Sequence, residues 1–500
     1  MCWFILSKIH LPRVVAAMSF LAVQGCIIST DLPDYKATLP KVADQWSSLE
    51  TSNVDRNTVF AVSQTWFTPD FHQKVSEFIV EGLKNNPELK FTRARLEQQI
   101  AQYHAAESAL FPTIDLSGEA SRTKSSSKGL SGERIKSYEN SFKAEARISW
   151  EIDVWGRLES ESQASYSALL QRQSDVEFAE LSVATRIVLQ WIELIALAQQ
   201  LDISRQEKSN LIEVVERTQD RYQQGIGSIL DLRLVETDLA NTDATLTSKL
   251  NEQLQATRKL ELILGRYPSG KIKSAKEFPK IVTDFSAGIP SDLLVHRPDL
   301  LVAEQKIIAA HHNLNASEAN RLPRLSLTHS TSYQNRKLSD IFDPYSLVAS
   351  IAGNIIQPIY DGGQRRAVIA QNKAIEDESI AEYVNTALKA FDEVENYLGN
   401  EINLKKQEEE LSHAALMAEQ GQNLSREKYY SGLIPILDLL QAQQRFFVSK
   451  SRLINIQKQR LLSRVNLYLA LGGHNTPLQR SVLSDPELAD PEMAEDNWNL

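Results

Sequence analysis

The chain lacks most of the residues that an enzyme or a disulfide-stabilised protein depends on. It has 500 residues but only two cysteines and four methionines. Cys2 lies in a segment that we expect to be removed, so Cys26 would remain alone and could form no internal disulfide. The sequence contains no phosphate-binding glycine loop, no nucleotide motif and no catalytic constellation. We therefore expect neither an enzyme nor a bound cofactor.

Basic clusters and metal-binding patterns are also missing. The net charge is −10, and Lys and Arg are not concentrated anywhere, which argues against a nucleic-acid-binding protein. His311 and His312 are adjacent in a predicted helix and therefore point to different faces. We expect solvated or interfacial histidines there and no metal site.

Long apolar runs are scarce as well. The run at residues 14–23 follows two basic residues, as in a secretory signal peptide, which we place at residues 1–25. The sequence Val23-Gln-Gly-Cys26 resembles a bacterial lipobox, whose cysteine is lipidated; the alternative is an ordinary signal peptide with a cysteine there by chance. Residues 26–70 would form a lipid-anchored tether. No later apolar stretch is expected to be long enough for a membrane helix, so a membrane crossing would require a closed β-barrel.

The chain does contain a long internal duplication. Tyr222-Gln-Gln-Gly-Ile-Gly-Ser-Ile-Leu-Asp-Leu recurs as Tyr429-Tyr-Ser-Gly-Leu-Ile-Pro-Ile-Leu-Asp-Leu. Each copy lies between a long and a shorter helical pattern, where a glycine ends one helix and lets the chain reverse. Gly225 and Gly432 therefore predict the tips of two helical hairpins, at about 157–264 and 363–471.

Two shorter helices open the two repeats. Asn86-Pro-Glu-Leu and Arg297-Pro-Asp-Leu are helix starts, and each helix is stopped by a later proline. We assign residues 71–275 to the first repeat and 276–473 to the second, leaving a polar C-terminal tail at 474–500. In each repeat, the opening helix and the helix after the tip, stacked end to end, would match the long helix in length.

Each repeat also contains a predicted β-hairpin, at about 112–154 and 323–359. In the first, residues 142–153 alternate strictly between an apolar and a polar side, after an expected exposed loop at 125–139. The polar side carries Lys143, Glu145, Arg147 and Glu151. About twelve alternating residues can cross a tilted bilayer, and a charged side suits a water-filled lumen. A soluble sheet with one face on a core would alternate in the same way.

The second hairpin gives a weaker pattern, because Gly353, Asn354 and Pro358 interrupt it. Two hairpins supply four strands, which cannot close a barrel, and open strand edges cannot face lipid. Three chains would supply twelve strands. We therefore predict a mainly α protein with a small membrane β part, in which a trimer forms a 12-stranded outer membrane β-barrel continuous with a periplasmic α-helical tunnel.

These motifs together resemble the TolC-like outer membrane factor family. The lipobox, the two helix starts, the Trp155-Gly-Arg and Tyr360-Asp-Gly-Gly turns and the twin Gly-Xaa5-Asp-Leu tips all contribute. The chain is most similar to the lipoprotein branch that serves resistance-nodulation-division (RND) efflux pumps. The resemblance implies a lipid-anchored homotrimer in the outer membrane lipid of the cell, with a large periplasmic part. It would passively conduct substrates received from a periplasmic adaptor (membrane fusion) protein and an inner-membrane RND-type transporter.

The resemblance also implies roles for the residues of the two tips. Gly225, Ile226, Gly432 and Leu433 would contact the adaptor. Asp231, Asp438, Tyr222 and Tyr429 would lie at the periplasmic aperture. Threefold symmetry would bring six carboxylates around a narrow axis, where they favour cations. The alternatives are that each Asp is a first-turn acid that interacts with the helix dipole, and that each Tyr packs between helices.

Two other functions remain open at this point. A type I protein-secretion channel would have the same fold. A non-conducting coiled-coil envelope lipoprotein would explain the helices, although it would have no need for the alternating strand.

Overall fold

The computed structural model describes residues 31–40, 46–50, 69–128, 132–281, 290 and 293–473. The predicted signal peptide, Cys26 and the tail at 474–500 lie outside the described residues. The chain forms two compact units, each of which also includes a shorter N-terminal segment. The first unit contains Leu96–Arg172 and Ala303–Glu382, and the second contains Gln173–Val302 and the chain from Tyr383 onward.

Seven long helices account for most of the described residues. They are α1 (Pro69–Asn85), α2 (Pro87–Ser108), α3 (Arg157–Gln223), α4 (Ile229–Ile263), α5 (Pro298–Ala319), α6 (Gln364–Tyr430) and α7 (Ile436–Ala470). The two repeats match in length: α2 and α5 have 22 residues, α3 and α6 have 67, and α4 and α7 have 35. At 1.5 Å per residue the longest helices extend about 100 Å. The predicted duplication of long helical hairpins is confirmed.

Asn86 joins the end of one helix to the start of another. Its Oδ1 accepts hydrogen bonds from the backbone N–H groups of Glu88 and Leu89 at 2.9 and 3.1 Å, which caps α2. Its Nδ2 donates to the carbonyl oxygen of Ile263 at 2.7 Å, which satisfies a free carbonyl at the end of α4. One side chain therefore holds α4 and α2 end to end.

Arg297 has the corresponding position in the second repeat. It donates hydrogen bonds to the carbonyl oxygen of Ala470 and to Glu393, both at 2.9 Å, and to both carboxylate oxygens of Asp299. Burial alone would lower the pKa of Arg297, but its hydrogen bonds to the two carboxylates raise the pKa overall. The guanidinium stays charged and joins the end of α7 to the start of α5, so both pairs of short helices stack as predicted.

The four strands form one antiparallel sheet in the first unit. They are β1 (Thr113–Lys128), β2 (Arg134–Ile152), β3 (Arg324–Asn335) and β4 (Leu347–Ile356), in the order β1-β2-β3-β4. The pairing of β2 with β3 joins the two hairpins and runs from Ile152 opposite Leu325 to Phe142 opposite Asn335. Strands β1 and β4 are the two edges. The predicted β-hairpins are therefore confirmed.

The first hairpin is longer than the sequence indicated. The prediction of a loop at 125–139 is wrong, because Ser125 pairs with Ser137 and the ladder continues until Lys128 lies opposite Arg134. Serine and lysine have low strand propensity, but a partner strand already in register supplies the backbone hydrogen bonds. Beyond Phe142 this hairpin has no β3 neighbour. We call this two-stranded part, residues 121–128 and 134–141, the ribbon.

The second hairpin also differs from its expected form. Strand β4 continues through Gly353 and Asn354, which pair with Leu327 and Ser326 and do not interrupt it. Pro358 lies beyond the end of the strand at Ile356, so the expectation of an interrupted strand is wrong. The backbone ladder with β3 compensates for the low strand propensity of Gly and Asn.

The core of the second unit is built around α3. Ile187, Trp191 and Ile195 of this helix are buried against Leu260 of α4 and Leu461 of α7. An 18-residue stretch of α3 is long and apolar enough to cross a membrane by length and composition alone, and 61% of it is buried within the protein. The expectation that no such stretch occurs after the signal peptide is therefore wrong. The apolar side chains of this stretch form the core of the second unit.

Part of the predicted tether is packed against helices. Trp46 is buried in a cluster with Leu293, with Val394 and Leu398 of α6, and with Leu467 and Ala470 of α7. The backbone N–H groups of Ser47 and Ser48 donate to the carboxylate of Glu395 at 2.7 and 2.9 Å. This turn of the N-terminal segment is therefore fixed to the helical unit by both apolar and charge-assisted contacts.

His311 is interfacial. It is buried between α5 and α6, where its Nδ1 lies 2.8 Å from one carboxylate oxygen of Glu376, and Lys373 donates to the other oxygen at 2.6 Å. Burial alone would raise the pKa of Glu376, but the hydrogen bonds from Lys373 and His311 hold it below its ordinary value. The buried charge is thus compensated, as a carboxylate in a helix interface requires.

A single carboxylate organises the segment after α4. Glu261 is buried and accepts hydrogen bonds from the backbone N–H groups of Gly270 and Lys271 at 2.6 and 2.8 Å and from the hydroxyl of Ser269 at 3.1 Å. Burial alone would raise the pKa of Glu261, but these hydrogen bonds favour the ionised form and hold the pKa below its ordinary value of 4.5.

The dual cap at Asn86 gives a test of the end-to-end junction. Asn86→Ala should lower the free energy of unfolding by about 2 kcal/mol, because the α2 cap and the hydrogen bond to Ile263 are both lost. Asn86→Ser is the matched variant, since it keeps a capping oxygen but cannot reach Ile263, and its loss should be intermediate. Denaturant titration followed by circular dichroism measures both, and equal stability of all three proteins would contradict the dual role.

Glu261 gives a pH-dependent test. A carboxylate with a lowered folded pKa contributes stability above the unfolded pKa, and this contribution is lost as the pH falls through the folded value. Glu261→Gln should therefore have a lower melting temperature than the unmodified chain at pH 7. The difference should narrow as the pH falls below about 4.5. A difference that stays constant from pH 7 to pH 3 would show that the ionised form is not what stabilises the segment.

Candidate functional site

At both hairpin tips the long helix ends in the same way. At the first, the N–H of Gly225 donates to the carbonyl of Tyr222 and the N–H of Ile226 donates to that of Arg221. Gly432 and Leu433 make the corresponding bonds at the second tip. This is the Schellman ending of a helix, which needs a left-handed residue at the glycine position, and the two glycines have φ values of 76° and 72°. Their occurrence at the same position in each repeat follows from this geometry.

Just beyond these glycines the tips differ. A Cβ at Gly227 would lie 2.9 Å from the backbone nitrogen of Tyr222, so the first tip turns too closely for a side chain. At the corresponding position of the second tip, Ile434 packs into an apolar cluster. The next helix also starts differently: Ser228 caps α4 with its side chain, whereas Pro435 begins α7 without a side-chain cap. The tips share the turn at the glycine, but their backbones diverge two residues later and they present different surfaces.

Ile226 and Leu433 follow the tip glycines and are exposed. They are 63% and 73% accessible in the single chain. Each is an aliphatic side chain at the very end of a hairpin, where burial within its own chain is not available. Such residues are suited to contact a partner protein.

The two predicted aperture tyrosines occupy different environments. Tyr222 is 43% exposed, whereas Tyr429 is only 5% exposed and lies in a cluster with Leu211, Val214, Val235, Ile436 and Leu439. The hydroxyl of Tyr429 lies 3.2 Å from Thr218 Oγ1, which itself donates to the carbonyl of Val214. For Tyr429 the geometry therefore favours packing between helices, and for Tyr222 it leaves the ring accessible.

The two predicted aperture carboxylates lie in the first turns of α4 and α7. Asp231 is half-buried and Asp438 is exposed. Within the described part of the chain, neither carboxylate forms an ion pair or a side-chain hydrogen bond. As first-turn acids, both are favoured by the helix dipole.

A contact for which the sequence gave little signal joins the end of α6 to α3. Tyr430 donates a hydrogen bond to Glu213 of α3 at 2.9 Å, and the guanidinium of Arg217 lies 4.0 Å from the centre of its ring. Burial, followed by the hydrogen bond to Glu213, raises the pKa of Tyr430. The only sequence signal was the Tyr429-Tyr430 doublet, where the first repeat has Tyr222-Gln223.

The sheet has one polar face. The register places Lys143, Glu145, Arg147 and Glu151 of β2 on this side, opposite Ser117, Asp115 and Glu119 of β1 and several serines of β3. Glu145 pairs with Lys143 and, at 2.8 Å, with Arg147. Glu151 pairs with Arg157 at 2.7 Å. The four residues predicted to share a side of the strand do so.

The opposite face is apolar and open. The register brings together Ile114, Leu116, Ala146, Ile148, Trp150, Leu325, Leu327, Ile351 and Ile355. Ile114 and Leu116 are 75% and 86% exposed in the single chain. A contiguous apolar surface of this kind needs an apolar environment.

The side chains of the described residues are not arranged to bind a metal ion. Within the described residues, no group of three or more His, Cys, Asp or Glu is placed to hold a metal ion. The predicted lipidation residue, Cys26, lies outside the described part of the chain.

Comparison with known proteins places this chain in a family. Residues 78–266 and 289–473 match the family described as Outer membrane efflux protein. The chain is 27% identical over 472 residues to Outer membrane protein OprJ of Pseudomonas aeruginosa, covering 92% of this chain and 95% of OprJ. It is 25% identical over 466 residues to Cation efflux system protein CusC of Escherichia coli, covering 93% and 98%.

Solved structures show the same fold. The Campylobacter jejuni CmeC outer membrane channel superimposes with a TM-score of 0.83 at 22% sequence identity, covering 94% of this chain and 100% of CmeC. The sheet with one polar and one apolar face and the duplicated helical hairpins are thus features of an outer membrane channel fold. The chain belongs to the outer membrane efflux protein family, and it is an outer membrane channel component of an efflux system.

Proposed function

We propose that three copies of this chain form one channel that conducts substrates passively across the outer membrane. A periplasmic adaptor and an inner-membrane RND-type transporter would supply these substrates. The observation that carries the proposal is the sheet, which has one polar face, one apolar face and two unpaired edges. Such a sheet can be stable in lipid only when its edges pair with further strands.

The number of strands supports three copies. Edge strands β1 and β4 of one chain would pair with those of its neighbours, and three copies would close a twelve-stranded barrel. Lys143, Glu145, Arg147 and Glu151 would then line a water-filled lumen, and the apolar face would contact lipid. The ion pairs at Glu145 and Glu151 compensate charge on a surface that is too polar for a protein core.

The tips are proposed to dock the adaptor. Gly225 and Gly432 set the turn, and Ile226 and Leu433 present an aliphatic side chain at each tip. The sequence has no nucleotide-binding motif, so the energy for transport would come from the transporter. Lipidation of Cys26 would add an anchor in the outer membrane.

The aperture is proposed to involve Asp231, Asp438 and Tyr222. Neither carboxylate is neutralised by a described residue of its own chain, and in a threefold ring the six would favour cations and disfavour anions. Tyr429 would stabilise this ring indirectly, because its hydroxyl contacts Thr218 and holds α6 against α3.

The carboxylates give a direct test in planar lipid bilayers. The purified chain should conduct ions, and the double variant Asp231→Asn/Asp438→Asn should show a severalfold lower preference for cations over anions, because fixed negative charge is removed from the narrowest part. The double variant Glu409→Gln/Glu410→Gln is the matched control, since it removes two exposed carboxylates of α6 away from the tip. An unmodified chain that carries no current would contradict the channel itself. Equal selectivity in all three proteins would contradict only the aperture.

The tip residues give a separate test in cells. Ile226→Asp/Leu433→Asp should abolish the resistance that the chain restores to a deletion strain, because a charge replaces the apolar contact with the adaptor. The same variant should keep its conductance in bilayers. Leu416→Asp/Met417→Asp, at exposed apolar positions of α6, is the control and should preserve resistance. Full resistance with the tip variant would contradict docking at the tips.

A further inference from the structure

The ribbon carries all of its basic residues on one face. They are Arg122, Lys124, Lys128, Arg134 and Lys136. The register pairs Lys128 with Arg134, so these two side chains lie on the same side of the ribbon. The other three basic residues are separated from them by an even number of residues along each strand, and therefore lie on that side too. In the ribbon, the opposite side carries Ser and Thr residues, Ile135 and a single charged residue, Glu139. A ribbon that is merely soluble has no need to segregate its charges in this way.

The basic face is the direct continuation of the apolar face of the sheet. Ile114 and Leu116 lie at even positions of β1, and Ala120, opposite Phe142, is the last apolar position before Arg122. The apolar part of β2 runs from Phe142 to Ile152, which spans roughly 35 Å along the strand and about 25 Å in height for a tilted strand. This height matches the hydrocarbon band of an outer membrane barrel, so the first cation lies at the edge of that band.

The five cations are available to a ligand. All are exposed, and no carboxylate of the described residues forms an ion pair with any of them. Arg122 and Lys124 lie 5.3 and 5.6 Å from the centre of the Tyr138 ring, which belongs to the same face. Tyr138 pairs with Lys124 just beyond the apolar band, and tyrosines are enriched at this level, where hydrocarbon meets headgroups.

The topology defines the side of the membrane on which the ribbon lies. Strand β1 begins just after α2 and β2 ends just before α3, so the helices leave from one end of the sheet and the ribbon projects from the other. With the helices in the periplasm, the ribbon lies at the outer surface. The lipids of that surface are phosphorylated glycolipids.

We propose that the basic face of the ribbon binds the phosphate groups of lipopolysaccharide in the outer leaflet. The continuity of this face with the lipid-facing band distinguishes a lipid headgroup from a soluble anion, because a molecule seated on the cations would have its acyl chains against Ala120, Phe142 and Leu116. The cations would replace the divalent ions that bridge lipopolysaccharide phosphates and would hold the barrel in its lipid surroundings.

The test measures binding of rough lipopolysaccharide to the detergent-solubilised full chain. A variant with Ser in place of all five cations should bind at least tenfold more weakly, since each cation near an anionic surface contributes roughly a fivefold factor. The control variant has Glu in place of Ser121, Thr123, Ser125, Ser127 and Ser137, which changes the net charge equally on the opposite face. This control should retain more affinity than the five-cation variant.

Three further probes complete the test. Dephosphorylated lipopolysaccharide should bind weakly, while phosphatidylglycerol vesicles and inorganic phosphate should compete poorly. Equal binding of phosphorylated and dephosphorylated forms, equal competition by phosphate, or unchanged affinity of the five-cation variant would each overturn the proposal. Conductance in planar bilayers separates it from the proposed function, because the five-cation variant should conduct as the unmodified chain does.

Discussion

A backbone N–H or C=O group in hydrocarbon needs a hydrogen-bond partner, and the architecture of this chain follows from that constraint. The sheet satisfies its inner strands by pairing β2 with β3, but β1 and β4 each keep one free edge. A single chain cannot remove these edges. The apolar face can enter lipid only when the edges of β1 and β4 are paired with further strands. Assembly and membrane insertion therefore depend on the same backbone hydrogen bonds, those at the two edges.

The second unit contains two equivalent junctions between stacked helices, and the two junctions use different chemistry. Both junctions between stacked helices require a donor for a free carbonyl and a partner for a new helix start. Asn86 meets both needs with one neutral amide, whereas Arg297 uses a buried guanidinium held by Asp299 and Glu393. The second solution has more charge to compensate. The geometry is therefore preserved between the repeats, while the residues that maintain it have diverged.

Much of the fold could be predicted because local signals agreed with the tertiary structure. Some signals depend only on the local backbone and not on distant residues. They are the prolines at 87 and 298, the tip glycines and the alternation of β2. The ribbon was missed because its strands are rich in serine and lysine, and only the register reveals a ladder there. Contacts such as Tyr430 with Glu213, or Trp46 with α6 and α7, join positions more than 200 residues apart, and no local pattern encodes them. For Tyr429 the sequence left two roles open, and its burial favours the structural one.

The glycine turn that the two tips share has a consequence for any ring built from this chain. Three copies would present six glycine turns with the same hydrogen bonds around the axis, so these turns alone would be related by pseudo-sixfold symmetry. The side chains alternate, with Gly227 at one turn and Ile434 at the next, so the true symmetry is only threefold. A partner that recognised only the glycine turn would find six equivalent binding sites. A partner that also contacted Gly227 or Ile434 would distinguish two alternating sets of three sites.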